Sequence, residues 1–163
     1  MNNSEVNALL VECQDDLVNV KSIVDSLRPT DNAVPYLGKY ALIKACGTIE
    51  VAYKATIADH CSKRAEQQLK NFINKRIRDS SSNPSFSNIC STLKDFDEAW
   101  NEEFKNLVKS RPDGEALRTS LQSLVDGRND FSHGGNPSLT IMDVLKYYQD
   151  SCVVIGILDS VVS

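Results

Sequence analysis

The sequence predicts an all-α fold, a bundle of four to five main helices with short helices between them, forming one domain over residues 1–163. Apolar residues recur at spacings of three and four along most of the chain, which is the period of an α-helix. No segment alternates apolar and polar residues as a half-buried strand does, and no internal repeat is visible. Seven glycines and five prolines leave room for long helices, and 163 residues suit a single core.

The first three helices are placed by their apolar faces and by the residues that stop them. We expect the first at about 4–27, apolar on one side and ended by Arg28-Pro29. The second, about 36–58, is apolar on most sides, as expected for the central helix of a bundle. The third, about 62–78, is strongly basic, with six Lys and Arg residues against one acid.

The second half of the chain is predicted to hold four more helices. A polar break at 79–84 precedes two short helices, at about 87–94 and 97–108. A longer helix at about 113–132 follows, and the last runs over about 140–162. Thr140, with Asp143 three residues on, is the expected cap of this last helix.

Composition narrows the functional class. The formal net charge of −4 excludes a polycation, so contact with nucleic acid would need a local basic surface. The first residues are neither basic nor apolar, so we expect no secretion signal and no membrane partner. The five cysteines are scattered and form no Cys-x-x-Cys pair, which predicts no metal site, no cofactor and a reducing cytoplasm.

The stretch from Arg128 to His133 is the most informative part of the chain. Arg128 continues the apolar stripe of the 113–132 helix, so it is predicted to lie in a core seam. A guanidinium there must meet an anion or a partner chain. Asn129 and His133 are four residues apart, so the amide is expected to orient the imidazole. Gly134-Gly135 then ends the helix, and its negative end favours an imidazolium suited to acid–base chemistry.

These residues resemble the HEPN superfamily of small helical bundles. Its motif is Arg, four to six residues and then His, commonly with a polar residue after the Arg, and Arg128-Asn129 through His133 fits. The chain is also similar in having a penultimate helix that ends in the motif and an apolar last helix. The run from Ala45 to Glu50 looks like the bacterial RiboL-PSP branch.

The resemblance implies a metal-independent endoribonuclease that acts as a homodimer, with two motifs facing each other across one cleft. It implies that His133 serves as general base or acid, that Arg128 stabilises charge on phosphorus, and that Asn129 orients the histidine or the phosphate. RNA would be cut by attack of the 2′-hydroxyl, leaving a 2′,3′-cyclic phosphate. A bacterial defence, stress or toxin setting is implied, in which an antitoxin or other protein is a partner.

One position departs from the family pattern. HEPN toxins paired with nucleotidyltransferase antitoxins often carry a tyrosine two residues after the motif histidine, as the acceptor of a silencing modification. Here that position is Gly135, and Tyr147 and Tyr148 do not match the spacing. This type of antitoxin is therefore disfavoured.

Two features outside the motif each have two interpretations. Glu50 supports the site by pairing with Arg128, or it forms an ordinary surface pair with Lys54. The basic third helix holds RNA, or it is neutralised by the acidic segment 95–103. The RNA-binding candidates in that helix are Lys70, Lys75 and Arg76. His60 is expected to be structural, and Trp100 is expected to anchor the core.

Two other functions compete with RNA cleavage. The first is a noncatalytic bundle that mediates dimerisation or binds protein or RNA. The second is a bundle with no nucleic-acid role, which predicts a monomer whose Arg128 is held by an internal acid such as Glu50.

Overall fold

The computed structural model describes residues 1–163 and contains seven α-helices and no strands. The helices are α1 (Ser4–Ser26), α2 (Ala33–Ser62), α3 (Gln67–Ile73), α4 (Phe86–Phe96), α5 (Glu98–Ser110), α6 (Gly114–Ser132) and α7 (Ile141–Val162). A π-helical turn, Asn74–Arg78, continues α3 directly. The all-α class predicted from the sequence is confirmed.

The long helices α2 and α7 form the centre of the bundle. α2 packs against α1, α6 and α7, and α7 packs against α1, α2, α5 and α6. Their apolar side chains enter one continuous core that also includes Leu17 of α1 and Phe104 of α5. Tyr148 of α7 is fully buried, and its hydroxyl donates to the carbonyl of Leu10 at 2.8 Å. The central place predicted for the second helix is therefore confirmed.

Most helix bounds lie within a few residues of those predicted. α2 is longer than expected, starting at Ala33 and reaching Ser62. The capping box of α7 is present, because the Thr140 hydroxyl accepts from the Asp143 backbone and the Asp143 carboxylate accepts from the Thr140 backbone. No helix is at once long enough and apolar enough to span a lipid bilayer.

The basic helix predicted at 62–78 is wrong as a single element. Ser62 ends α2, the chain turns, and α3 begins only after Glu66, whose backbone is extended (φ −65°, ψ 157°). Three of the four turn residues, Lys63, Arg64 and Glu66, are charged, and none of the four belongs to the apolar core. Ile73 is the first residue after the turn that is fully buried, and it holds α3 against the bundle.

All five cysteines are free thiols. Burial raises the pKa of the Cys46 thiol and of the Cys152 thiol to about 11 each. Both side chains therefore stay protonated and behave as small apolar groups at neutral pH.

Candidate functional site

The C-terminus of α6 is closed by a Schellman motif. Gly134 adopts a left-handed conformation (φ 85°), and its N–H donates to the carbonyl of Phe131 at 3.1 Å. The N–H of Gly135 donates to the carbonyl of Asp130 at 2.8 Å. The helix stop predicted from the double glycine is confirmed. His133 is the capping residue just before this turn, and its imidazole is exposed and without a hydrogen bond.

A close approach between α6 and α2 places Arg128. Gly127 is buried, and a Cβ atom added to it would lie 2.8 Å from Leu139 Cδ1 and 3.2 Å from Leu42 Cδ2. A larger residue would have to displace these two leucine side chains, which pack on the backbone of α6. The next residue, Arg128, faces α2 through Glu50.

Arg128 lies at the edge of the core rather than inside it. Its side chain is 39% exposed, so the predicted core-seam position overstates the burial of this residue. Burial of α6 ends at Gly127, and the residues from Arg128 to Ser132 are half-buried or exposed. The guanidinium is anchored on one side and open to solvent on the other.

Two acceptors face the guanidinium. Arg128 Nη1 donates to Asn129 Oδ1 at 3.3 Å, and Nη2 lies 3.8 Å from Glu50 Oε2. The second distance exceeds that of a normal hydrogen bond, so the ion pair is loose. Asn129 orients the arginine and not the imidazole, which corrects the expected Asn129–His133 hydrogen bond.

Glu50 contacts both of its expected partners. Its Oε1 accepts from Lys54 Nζ at 2.6 Å, while Oε2 faces Arg128. The description of Glu50–Lys54 as a surface pair is wrong, since the two side chains are 19% and 5% exposed. Lys54 also donates to the carbonyl of Ser80. The sequence carried a signal for this burial, because Lys54 stands in the run Ala52–Ala58, whose other residues are all buried.

This network ties the basic segment to the motif. Ser80 follows the π-helical turn by two residues, and Arg78 at the end of that turn pairs with Asp59 of α2. A concave site of about 170 Å³ lies between the turn and α2, lined by Glu50, Lys54 and Arg78 among others. Contacts therefore run from Arg128 through Glu50 and Lys54 to the loop that follows the basic residues.

The three RNA-binding candidates carry unneutralised charge. Lys70, Lys75 and Arg76 take part in no ion pair. The guanidinium of Arg76 lies 5.9 Å from the ring centre of Phe72, which is 59% exposed.

The acidic segment 95–103 forms no ion pair with the basic segment 62–78. Two of its acids are engaged elsewhere, since Glu98 pairs with Lys94 and Glu102 pairs with Lys105.

A stripe of exposed residues on α2 lies beside Arg128 and was missed from the sequence. We call it the α2 stripe, and its members are Tyr36, Tyr40, Ile43, Gly47 and Val51. Their spacings of four, three, four and four put them on one helix face. The neighbouring face carries Cys46 and Glu50, which border Arg128, and Lys39, whose ammonium lies 5.6 Å from the Phe131 ring centre. The prediction that this helix is apolar on most sides does not distinguish its buried apolar residues from its exposed ones.

Gly47 has no reason within the chain to be glycine. A Cβ atom there would meet nothing within 4 Å, and the residue is exposed in the middle of α2. Glycine in a helix interior is destabilising by about 0.5–1 kcal/mol relative to alanine. Gly47 therefore lowers the stability of α2 at the centre of the α2 stripe.

An all-α bundle whose penultimate helix presents arginine, asparagine and histidine at one open end is the architecture expected of a HEPN protein. The model of the RiboL-PSP-HEPN family matches residues 8–163. The chain belongs to this family. Searches of curated proteins and of solved structures each found no match.

Proposed function

We propose that this protein is a metal-independent endoribonuclease that acts as a homodimer. The observation that carries the proposal is the placement of Arg128 and His133 at one open end of α6. One side chain supplies a fixed cation that is 39% exposed, and the other supplies an exposed imidazole. Membership of the RiboL-PSP-HEPN family supports an RNA-related activity for these residues.

The proposed chemistry needs one base, one acid and one cation. His133 takes the proton of a ribose 2′-hydroxyl, whose oxygen attacks the adjacent phosphorus. The bond from phosphorus to the 5′-oxygen breaks, and the partner's His133 donates a proton to that oxygen. The products are a 2′,3′-cyclic phosphate and a 5′-hydroxyl. Arg128 stabilises the charge that grows on the phosphoryl oxygens, and Asn129 holds the guanidinium in place.

The loose Glu50 contact suits this role for Arg128. At 3.8 Å the carboxylate keeps the guanidinium in place without occupying its hydrogen-bond donors. A phosphate accepts two parallel hydrogen bonds from arginine and can displace so distant a partner. Lys54 holds Glu50 at 2.6 Å, so the carboxylate stays in place when Arg128 moves to the substrate.

The α2 stripe is our proposed dimer surface. A second copy packed there by a two-fold axis would bring the two Arg128 side chains towards one cleft, since Glu50 and Cys46 adjoin both the stripe and the arginine. A close backbone approach at Gly47 would explain a glycine that no contact within the chain requires. Tyr36, 71% exposed, would be covered at the rim.

We propose that the basic segment holds the RNA backbone. Lys70, Lys75 and Arg76 are free of carboxylates, and Phe72 beside Arg76 offers a ring on which an unpaired base can stack. The Ser80–Lys54–Glu50 contacts connect the loop that follows this segment to Arg128. Single-stranded RNA is the substrate form that such a surface favours.

The proposed setting is bacterial defence, stress or toxin action, in which RNA cleavage stops growth and another protein acts as inhibitor. An inhibitor that modifies a tyrosine two residues after His133 is disfavoured, because that position is Gly135.

The test is RNA cleavage in excess EDTA by wild type, His133→Ala and Arg128→Ala. We expect wild type to cut single-stranded RNA and leave DNA of the same sequence intact, and each variant to lose at least about a hundredfold in rate. Arg111→Ala is the matched control, because Arg111 is an exposed arginine paired with Asp113 just before α6. Intact RNA with wild type, or equal cutting by His133→Ala, would overturn the proposal.

The second candidate function is that of a bundle with no nucleic-acid role, and the Glu50–Arg128 pair favours it. An internal acid that meets the arginine removes the need for a substrate anion. This alternative predicts that Glu50→Gln changes stability only, and that light scattering finds a monomer. A dimer with EDTA-resistant cleavage rejects it.

A further inference from the structure

A second concave site lies at the other end of α2, away from the motif. It begins at His60, ten residues beyond Glu50, which corresponds to about 15 Å along a helix. The cavity of about 730 Å³ opens between the end of α2, α3 and the segment that joins α4 to α5. This volume falls within the range of about 300–1,000 Å³ that is usual for small-molecule sites.

One wall of this cavity is apolar and aromatic. Leu69 and Phe96 line it and are 50% and 38% exposed, so large hydrophobic side chains face solvent inside a concave surface. Trp100 also lines the cavity, and its ring packs at a right angle to that of His60, with 5.4 Å between ring centroids. A flat ring inserted there would cover apolar surface that the chain itself leaves open.

The lining also includes two cations. Lys63 and Arg64 line the cavity, and neither takes part in an ion pair. Burial, and then the Lys63 ammonium, lower the pKa of His60, so the imidazole adds no charge at neutral pH. His60 Nδ1 is shielded from solvent and has no hydrogen-bond partner. Two cations without ion-pair partners thus line the same cavity as the aromatic side chains.

We propose that this cavity binds a small anion that carries a planar aromatic ring. The ring lies against Trp100 and Phe96, and the anionic group meets Lys63 and Arg64. The site is separate from Arg128 and His133, and it does not depend on RNA cleavage. An aromatic carboxylate and a nucleoside monophosphate both combine a planar ring with an anionic group. The two classes of ligand differ in the kind of ring and in the kind of anionic group.

Trp100 reports directly on occupancy, because the chain has one tryptophan. Its single indole N–H resonance in a nitrogen-15 correlation spectrum is followed while a probe is added. The probes are 2-naphthoate and adenosine monophosphate, each matched with its neutral counterpart, 2-naphthalenemethanol and adenosine. We expect a saturable shift with at least one anion, and the tighter of the two identifies the source. The neutral counterpart should bind at least about fivefold more weakly, the effect of losing one charge contact.

Variants separate the cavity from general charge effects. Lys63→Gln should weaken binding of the anion about fivefold and leave the neutral counterpart unchanged. Lys109→Gln is the matched control, since Lys109 is an exposed lysine in the last turn of α5 and lies outside the cavity. No shift with either anion at millimolar concentration, equal binding of the neutral compounds, or equal effects of Lys63→Gln and Lys109→Gln would each overturn the proposal.

Discussion

Replacing Glu50 with glutamine would leave Lys54 without its carboxylate at a position where water has little access. The lysine side chain is 5% exposed and the glutamate 19% exposed. Removing one partner of a fully buried ion pair costs about 3–5 kcal/mol. Glu50 keeps some contact with water, and the Ser80 carbonyl still accepts from Lys54. We therefore expect Glu50→Gln to lower the free energy of unfolding by about 2 kcal/mol.

Urea denaturation followed by helical circular dichroism measures this loss, at one fixed protein concentration because a dimer's stability depends on it. The matched control is Glu102→Gln, which breaks the Lys105–Glu102 pair at 3.0 Å, with side chains 43% and 57% exposed. This exposed pair should cost only about 0.3 kcal/mol. The double variant Glu50→Gln with Lys54→Met removes both charges, so its cost should be smaller than the sum of the single costs.

The reasoning about the buried pair would be refuted if Glu50→Gln and Glu102→Gln lost the same stability within about 0.5 kcal/mol. Additive costs in the double variant would refute it independently, because they would mean that Lys54 does not depend on Glu50.

Three further predictions follow from single positions. Gly47→Ala should stabilise the dilute monomer by about 0.5–1 kcal/mol, as measured by urea denaturation. Gly47→Trp should abolish dimerisation, as measured by light scattering. An intact dimer with tryptophan at this position would show that the α2 stripe is not the interface. Gly134→Ala should cost about 1–2 kcal/mol of unfolding free energy because its φ is 85°, and an unchanged urea midpoint would speak against the left-handed turn. The folded-state pKa of about 11 for Cys46 and Cys152 lies above the free-thiol value of 9.0, so the unfolded chain ionises first and stability falls between about pH 9 and 11. The expected slope is about 1.4 kcal/mol per pH unit for each thiol, and serine at both positions should flatten it if these thiols are responsible.

The sequence was sufficient where local chemistry decides the structure. Gly134 after His133 and Thr140 before Asp143 each mark a helix end through backbone contacts a few residues away, and both ends lie where predicted. The apolar stripe of α6 likewise faces the core as predicted, and its residues Leu117, Leu121 and Leu124 are buried. Such features need no knowledge of the neighbouring helices.

Features that depend on packing between helices could not be predicted in the same way. The burial of Lys54 follows from the loop at Ser80, which covers it from 26 residues away along the chain. The partial exposure of Arg128 depends on how the neighbouring helices pack around the end of α6, and the apolar period alone cannot predict that packing. Asn129 turns to Arg128 rather than to His133, since the guanidinium on the neighbouring residue is the stronger donor.

The chemistry proposed for Arg128 and His133 is tested most directly by mass spectrometry of the RNA ends produced in excess EDTA. Attack by the 2′-hydroxyl leaves a 2′,3′-cyclic phosphate on one fragment and a 5′-hydroxyl on the other, with no fragment ends from DNA of the same sequence. The proposal predicts these ends for wild type and none for His133→Ala. Fragments with a 3′-hydroxyl and a 5′-phosphate would contradict it, because those ends require water or another external nucleophile to attack the phosphorus.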